Sequence, residues 1–221
     1  MQPAADRLPM SLPEYWDKYQ PGRVERPAAD LFQWSQFPGH GPGPELLGSP
    51  ASVLELGCGP AAEAAYLARR GTRVTALDFS PVQIARARNW WVDLPGLALV
   101  EADACAWLDH GEETFDAAFS CWGAAWFVDP EELLPRVCRR LVDGGRFVVA
   151  HAAPGDVHGP QLMRGKWLEG RDSELRIHRY QYPPEAWEGM LKRAGFTHVS
   201  ARVLPPPGNR EVGTLIATAR R

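Results

Sequence analysis

Two glycines, Gly57 and Gly59, follow a short apolar run, and three acids keep company with them: Glu55 just before, Asp78 about twenty residues later, and Asp103 further on. Glycines at a strand end let the backbone turn sharply and let a ligand approach where a Cβ would otherwise stand. Asp78 closes a second apolar run, and its carboxylate can accept from both hydroxyls of a ribose. Glu55 is placed to hold a cationic amino group, directly or through water. Asp103 is placed to accept from an adenine amino group. Together these residues describe a site for an adenosine-containing cofactor. The turn by itself admits two of them. Gly57, Gly59 and Ala62 also fit the dinucleotide pattern G-x-G-x-x-G/A with Asp78 as its ribose acid, so a nicotinamide-dependent oxidoreductase stands as an alternative.

Other side chains suit the reacting partner. His151 follows a predicted fifth strand, at the edge of the sheet where ligands bind, and a free imidazole titrates near about 6.5, which suits a general base. Trp122, Trp126 and Phe127 follow a fourth predicted strand and can wall an apolar pocket, or simply pack in the core. Tyr15 and Tyr19, in an aromatic N-terminal stretch, are candidates for the same pocket. The run after the fourth strand, Ser120-Cys121-Trp122-Gly123, is not the N-P-P-Y tetrapeptide that would point to an amide or an adenine amino group. Asp116 and Asp129 have ready structural roles, so no metal site is expected.

The ordered series of segments resembles the class I S-adenosylmethionine-dependent methyltransferases. Glu55-Leu56-Gly57-Cys58-Gly59-Pro60 is similar to their first motif, and Val74 to Pro81 to their second. Ala102-Asp103-Ala104 resembles the adenine-binding segment. Phe115 to Ser120, Leu141 to Phe147, Gly195-Phe196 and Gly213 to Ile216 resemble the later motifs and the C-terminal hairpin. The resemblance implies a Rossmann-like α/β fold, doubly wound, with a seven-stranded and mostly parallel sheet whose last strand runs antiparallel between its neighbours. It implies S-adenosylmethionine as cofactor, with Glu55, Gly57, Cys58 and Gly59 along its methionine part, Asp78 at the ribose, Asp103 and Ala104 at the adenine, Phe79 on the adenine ring, and Ser120 nearby. It implies methyl transfer to an oxygen, nitrogen or carbon of a small metabolite. One departure is Ala61, where many members have a third glycine. It keeps a non-catalytic, cofactor-binding homologue in view.

Strand and helix signals alternate from Ala51 onward. Strands are expected over Ala51 to Leu56, Arg73 to Leu77, Leu97 to Glu101, Phe115 to Ser120 and Arg146 to Ala150. A final pair is expected near His198 to Leu204 and Val212 to Thr218. Helices are expected over Ala61 to Arg70, from Ser80-Pro81, from Asp129 to about Leu141, with Pro135 as a possible kink, and over Pro184 to Ala194. Such alternation predicts a parallel sheet covered on both faces. Residues 1–50 are read as an N-terminal helical cap and linker, with short helices over Leu12 to Tyr19 and Ala28 to Phe37 and a loop over Pro38 to Pro50. Residues 51–221 form the cofactor-binding core, within which 152–183 is an irregular insertion expected to wall the substrate pocket.

The 221 residues suit one domain with a substantial core. The net charge of −3 and scattered basic residues disfavour a nucleic-acid partner. No apolar run is long enough to span a bilayer, which takes about 20 residues, and no signal peptide is seen. Cys58, Cys105, Cys121 and Cys138 lack C-x-x-C spacing, so reduced thiols in the cytoplasm are expected. Lysine occurs only at Lys18, Lys166 and Lys192, and the richness in Arg, Ala, Gly and Pro hints at a GC-rich bacterial genome.

Overall fold

The computed structural model describes residues 13–17, 26, 29–164 and 176–221. Its sheet is built from β1 (Ser52–Leu56), β2 (Arg73–Asp78), β3 (Leu97–Glu101), β4 (Phe115–Cys121), β5 (Leu141–Ala152), β8 (Thr197–Leu204) and β9 (Thr214–Arg220). Their order is β3-β2-β1-β4-β5-β9-β8. The first five are parallel, and β9 runs antiparallel to both β5 and β8. This is the expected seven-stranded Rossmann-like sheet with its antiparallel end. Every residue of β1 is buried. Such a strand must be covered on both faces.

Alternation along β1 divides the core in two. Leu54 and Leu56 belong to one cluster, roofed by α4 (Ala104–His110), α6 (Pro130–Arg139) and α7 (Pro184–Arg193). Val53 belongs to the other, roofed by α2 (Ala62–Ala68) and α3 (Pro81–Trp90). Asp116 anchors the start of this central pair. Its carboxylate accepts from the backbone N–H groups of Ala51 and Ser52 and from the Ser52 hydroxyl, and these bonds hold its pKa below the usual range.

Helix starts follow the capping residues. Ser80 accepts from the Gln83 N–H ahead of Pro81, and Asp129 accepts from the Glu131 N–H ahead of Pro130. Pro135 does not split α6, which stays continuous to Arg139. Three expectations need correction. Residues 29–37 contain no helix. Ser35 Oγ accepts from the Phe37 N–H, a local bond that competes with helix formation, and Phe32 and Trp34 are buried two residues apart, as in an extended segment. The predicted loop over 38–50 holds a 3₁₀ turn, Pro44–Leu47. The stretch after β5 is not irregular throughout. Gly159–Arg164 (β6) pairs antiparallel with Arg176–Gln181 (β7) in a separate two-stranded ribbon. In the N-terminal part, α1 is described over Pro13–Asp17, and the rest of the helix expected over Leu12 to Tyr19, Tyr19 included, lies outside the described residues. Among the described residues, no helix is long and apolar enough to cross a membrane.

The chain winds outward through β1, β2 and β3, then crosses back to add β4 on the other side of β1. At that reversal the connections after β1 and β4 leave on opposite faces, which opens a crevice at the strand ends. The two turns touch there. Gly57 has φ of +75°, and a Cβ on it would lie 2.3 Å from the Ala124 nitrogen. A Cβ on Gly123 would lie 2.4 Å from the Gly57 carbonyl oxygen. Each backbone fills the space of the other's missing side chain. Gly57→Ala should therefore destabilise the fold by about 2–4 kcal/mol, from left-handed strain plus overpacking. Urea unfolding of the variant against the parent checks this.

Candidate active site

The crevice is a cavity of about 480 Å³ at the ends of β1, β2 and β4. Nine of the residues picked from sequence line it: Gly57, Cys58, Gly59, Asp78, Phe79, Asp103, Ala104, Trp122 and Phe127. The turn after β1 is fixed from behind. The N–H groups of Gly57 and Cys58 donate to the Leu77 carbonyl at 2.8 and 3.0 Å. Trp91 Nε1 donates to the Pro60 carbonyl at 2.7 Å. Gly59, with φ of +50°, has nothing within 4 Å of an added Cβ, so it faces open space.

Asp78 ties two turns together. One carboxylate oxygen accepts from the Gly59 N–H at 2.8 Å and the other from the Ser80 N–H at 2.9 Å. Burial raises its pKa, while the N–H groups of Ser80, Gly59 and Phe79 pull it back. Asp103 caps α4 by accepting from the Ala106 N–H at 2.9 Å through Oδ1. Its site on the cavity wall and its structural role coexist.

Glu55 does not line the cavity. It lies buried behind the turn, on the face of β1 that meets α2, and its Oε2 has no partner. Burial raises its pKa well above the usual range, and the charge of Glu63 pushes it further. Glu63 stands half-buried in the first turn of α2 and does line the cavity. Its pKa is pushed up to about 7, chiefly by burial. Ser120 serves the scaffold: its hydroxyl donates to the Leu56 carbonyl and accepts from the Ala125 N–H, joining β1 to a one-turn helix, α5 (Ala124–Phe127). Ala61 takes φ of +57° and is fully buried in the core cluster beneath α2. Its methyl group points into packing rather than into the cavity. The left-handed conformation costs an L-residue roughly 1–2 kcal/mol.

His151 is wholly buried and away from the cavity wall. Its ring stacks on Trp126, with centroids 5.3 Å apart and planes within 5°. Nδ1–H donates to the Ala152 carbonyl at 2.8 Å. Nε2 therefore carries a bare lone pair, and it has no partner. Burial pulls the pKa down to about 4, with the Arg179 cation acting in the same direction. Trp126 and Tyr15 are buried as well. Trp126 touches Phe127, and Phe127 lines the cavity.

The structure adds wall residues that sequence spacing gave no means to find. Trp16 and Gln83 come together where the Gln83 side chain donates to the Trp16 carbonyl at 2.8 Å. The Ser80 hydroxyl donates to Asp17 at 2.6 Å, so the N-terminal α1 is fastened onto α3 beside the cavity. Gln33, Ser35 and Gln36 reach the wall because Cys121 Sγ donates to the Gln33 carbonyl and Trp122 Nε1 to the Trp34 carbonyl. Trp122 itself adopts φ of +55°. Among the described residues, no cluster of three metal-binding side chains occurs.

A doubly wound sheet with its glycine turn, ribose-type acid and third-strand acid on one crevice defines a nucleoside-cofactor fold. Comparison with known proteins narrows the class. Residues 54–149 match the family model described as a methyltransferase domain. The chain is similar to trans-aconitate 2-methyltransferase of Streptomyces coelicolor, 30% identical over 206 residues that cover 86% of this chain and 64% of that protein. It is also similar to trans-aconitate 2-methyltransferase of Escherichia coli, 36% identical over 138 residues that cover 58% of this chain and 52% of that protein. The chain thus spans about half to two thirds of the length of these curated relatives. Its fold resembles the crystal structure of the 1,6-didemethyltoxoflavin-N1-methyltransferase of Burkholderia thailandensis with S-adenosylhomocysteine bound. The TM-score is 0.57 at 24% identity, covering 77% of this chain and 70% of that one. Residues 54–149 thus form a methyltransferase domain, of the class I S-adenosylmethionine-dependent kind. The nicotinamide alternative is not favoured.

The buried His151 sets a pH dependence. Its folded pKa, about 4, lies below the unfolded value of about 6.5. The unfolded chain binds this proton first, so stability falls as pH drops from about 6.5 to about 4, by about 3 kcal/mol in all. His151→Gln removes that component. Urea unfolding of both proteins across the window should show a shallower pH slope in the variant.

Proposed function

We propose that the protein transfers the methyl group of S-adenosylmethionine to a small molecule. The observation that carries this reading is the cavity itself. Gly57, Gly59, Asp78, Phe79, Asp103 and Ala104 all line it and follow the adjacent strands β1, β2 and β3, which supports a methionine, ribose and adenine laid across them in that order. When bound, the cofactor supplies a methyl group already activated on a sulfonium. The protein's part is to hold that carbon in line with a nucleophile, and positioning alone can supply an effective molarity on the order of 10⁵–10⁸ M. Gly59 offers open space for the cofactor backbone, and Asp78 offers its carboxylate to the ribose. Ala61 keeps its methyl out of the cavity, which supports a competent site over a non-catalytic homologue.

The acceptor reading rests on the other wall. Trp122, Phe127 and Val128 make it apolar, which suits a small metabolite. The net charge of −3 supports that choice over a nucleic acid. We take the first acceptor to test from the relatives named for trans-aconitate, with oxygen as nucleophile. The described N-terminal residues around Trp16 and Gln33 to Gln36 act as a cap, and the β6–β7 ribbon contributes to the acceptor side. His151 lies too deep to touch an acceptor in the cavity, so any part it plays is to position Trp126. The four free cysteines support a reducing compartment, the cytoplasm.

Calorimetry with S-adenosylmethionine and S-adenosylhomocysteine tests the core of this reading. Both should bind, and failure of both sinks it. Asp78→Ala should weaken binding by about 1–3 kcal/mol, roughly 5- to 150-fold, since the ribose and two buried N–H groups lose their acceptor. Methyl transfer from radiolabelled cofactor to trans-aconitate, set against neutral phenols and amines, then discriminates the acceptor class.

A further inference from the structure

Resting on that cofactor reading, we propose that Glu63 is a second carboxylate for the cofactor's ammonium group and shares one proton with Glu55, so that docking the amino-acid end expels that proton.

The geometry comes first. Glu55 points from β1 toward α2, and Glu63 stands in the first turn of α2, on the cavity wall. Glu55 Oε2 is wholly buried and unpartnered. An unmet buried oxygen of this kind is costly, and an N–H donor relieves it. The charged groups acting on the pair are Asp78 at the end of β2 and the two carboxyls themselves. The thiols of Cys58 in the turn and Cys121 on β4 feel the same acids. Among the described residues, no cationic side chain is among the groups that act on either carboxyl. This corner therefore presents two acids among the described residues, Glu55 and Glu63, which selects a cation. Asp78, Asp103 and Ala104 occupy the adenosine side of the cavity, which leaves this corner to the methionine end.

Two close carboxyls removed from water do not both ionise readily. Burial raises both carboxyls, Glu63 to about 7 and Glu55 well above the usual carboxylate range, so near neutrality the empty site holds a proton on the pair. An incoming ammonium favours the charged forms and drives the proton out. The sign follows. Below about pH 7 binding must displace a proton, and affinity falls by up to about tenfold per pH unit; toward higher pH the loss fades.

The test compares S-adenosylhomocysteine with 5′-methylthioadenosine, which keeps the adenine and ribose but lacks the amino-acid end. Calorimetry at pH 6, 7 and 8, in buffers of different ionisation enthalpy, counts the protons. Any proton from Asp78 appears with both ligands and cancels. At pH 6 S-adenosylhomocysteine should release close to one proton more than 5′-methylthioadenosine. Its affinity should drop severalfold to tenfold from pH 7 to 6, with less than a twofold change for the shorter ligand. Glu63→Gln should abolish the excess proton while 5′-methylthioadenosine still binds as before, which shows the cavity is intact. Equal proton counts for the two ligands overturn the inference, as does full excess release in Glu63→Gln. If neither ligand binds the parent protein, the cofactor reading falls and this inference with it.

Discussion

The contact between two glycine backbones at the sheet's reversal point sets everything downstream. Gly57 and Gly123 sit where a Cβ on either would collide with the other's main chain. That approach fixes how far the β1 and β4 turns stand apart, and hence the width of the crevice between them. Ser120 reinforces it from below by bonding the end of β1 and the start of α5. Once the turn after β1 is held there, Asp78 can reach the Gly59 N–H and the Ser80 N–H at once. One carboxylate then sets the direction of both the first turn and the helix that follows the second strand.

The second layer is a set of long-range clamps that bring chain ends to the crevice. Trp122 and Cys121 capture the backbone of Gln33 and Trp34, and Ser80 and Gln83 capture α1. These bonds join residues more than sixty positions apart. They turn the N-terminal segment from a tail into part of the wall.

Legibility in the sequence followed the range of the forces. The alternating strands and helices were readable because each apolar run and each cap, such as Ser80-Pro81 and Asp129-Pro130, acts locally. The glycine turn, Asp78 and Asp103 were readable because their spacing follows from the strand lengths. What stayed hidden depends on contacts distant in sequence. Glu63 carried no signal in the sequence, because only the fold brings the first turn of α2 to the cavity wall. Residues 29–37 had the composition of a helix, but Ser35 and the burial of Phe32 and Trp34 made an extended segment instead. His151 was expected just past the fifth strand but lies within it, one residue from its end; position along a strand does not report depth, and Trp126 covers it. Glu55 was found by the same strand-end logic, which could not show that it lies behind the wall.

The thiols of the crevice have a consequence of their own. A pocket for an electrophilic methyl donor endangers any nucleophile built into it, and two cysteines lie on this wall, Cys58 and Cys121. Only the thiolate attacks such a carbon readily. Burial and the surrounding acids push both thiols well above their ordinary range. They therefore stay protonated and inert at neutral pH. The burial and the acids that shape this corner thus guard the protein against alkylating itself.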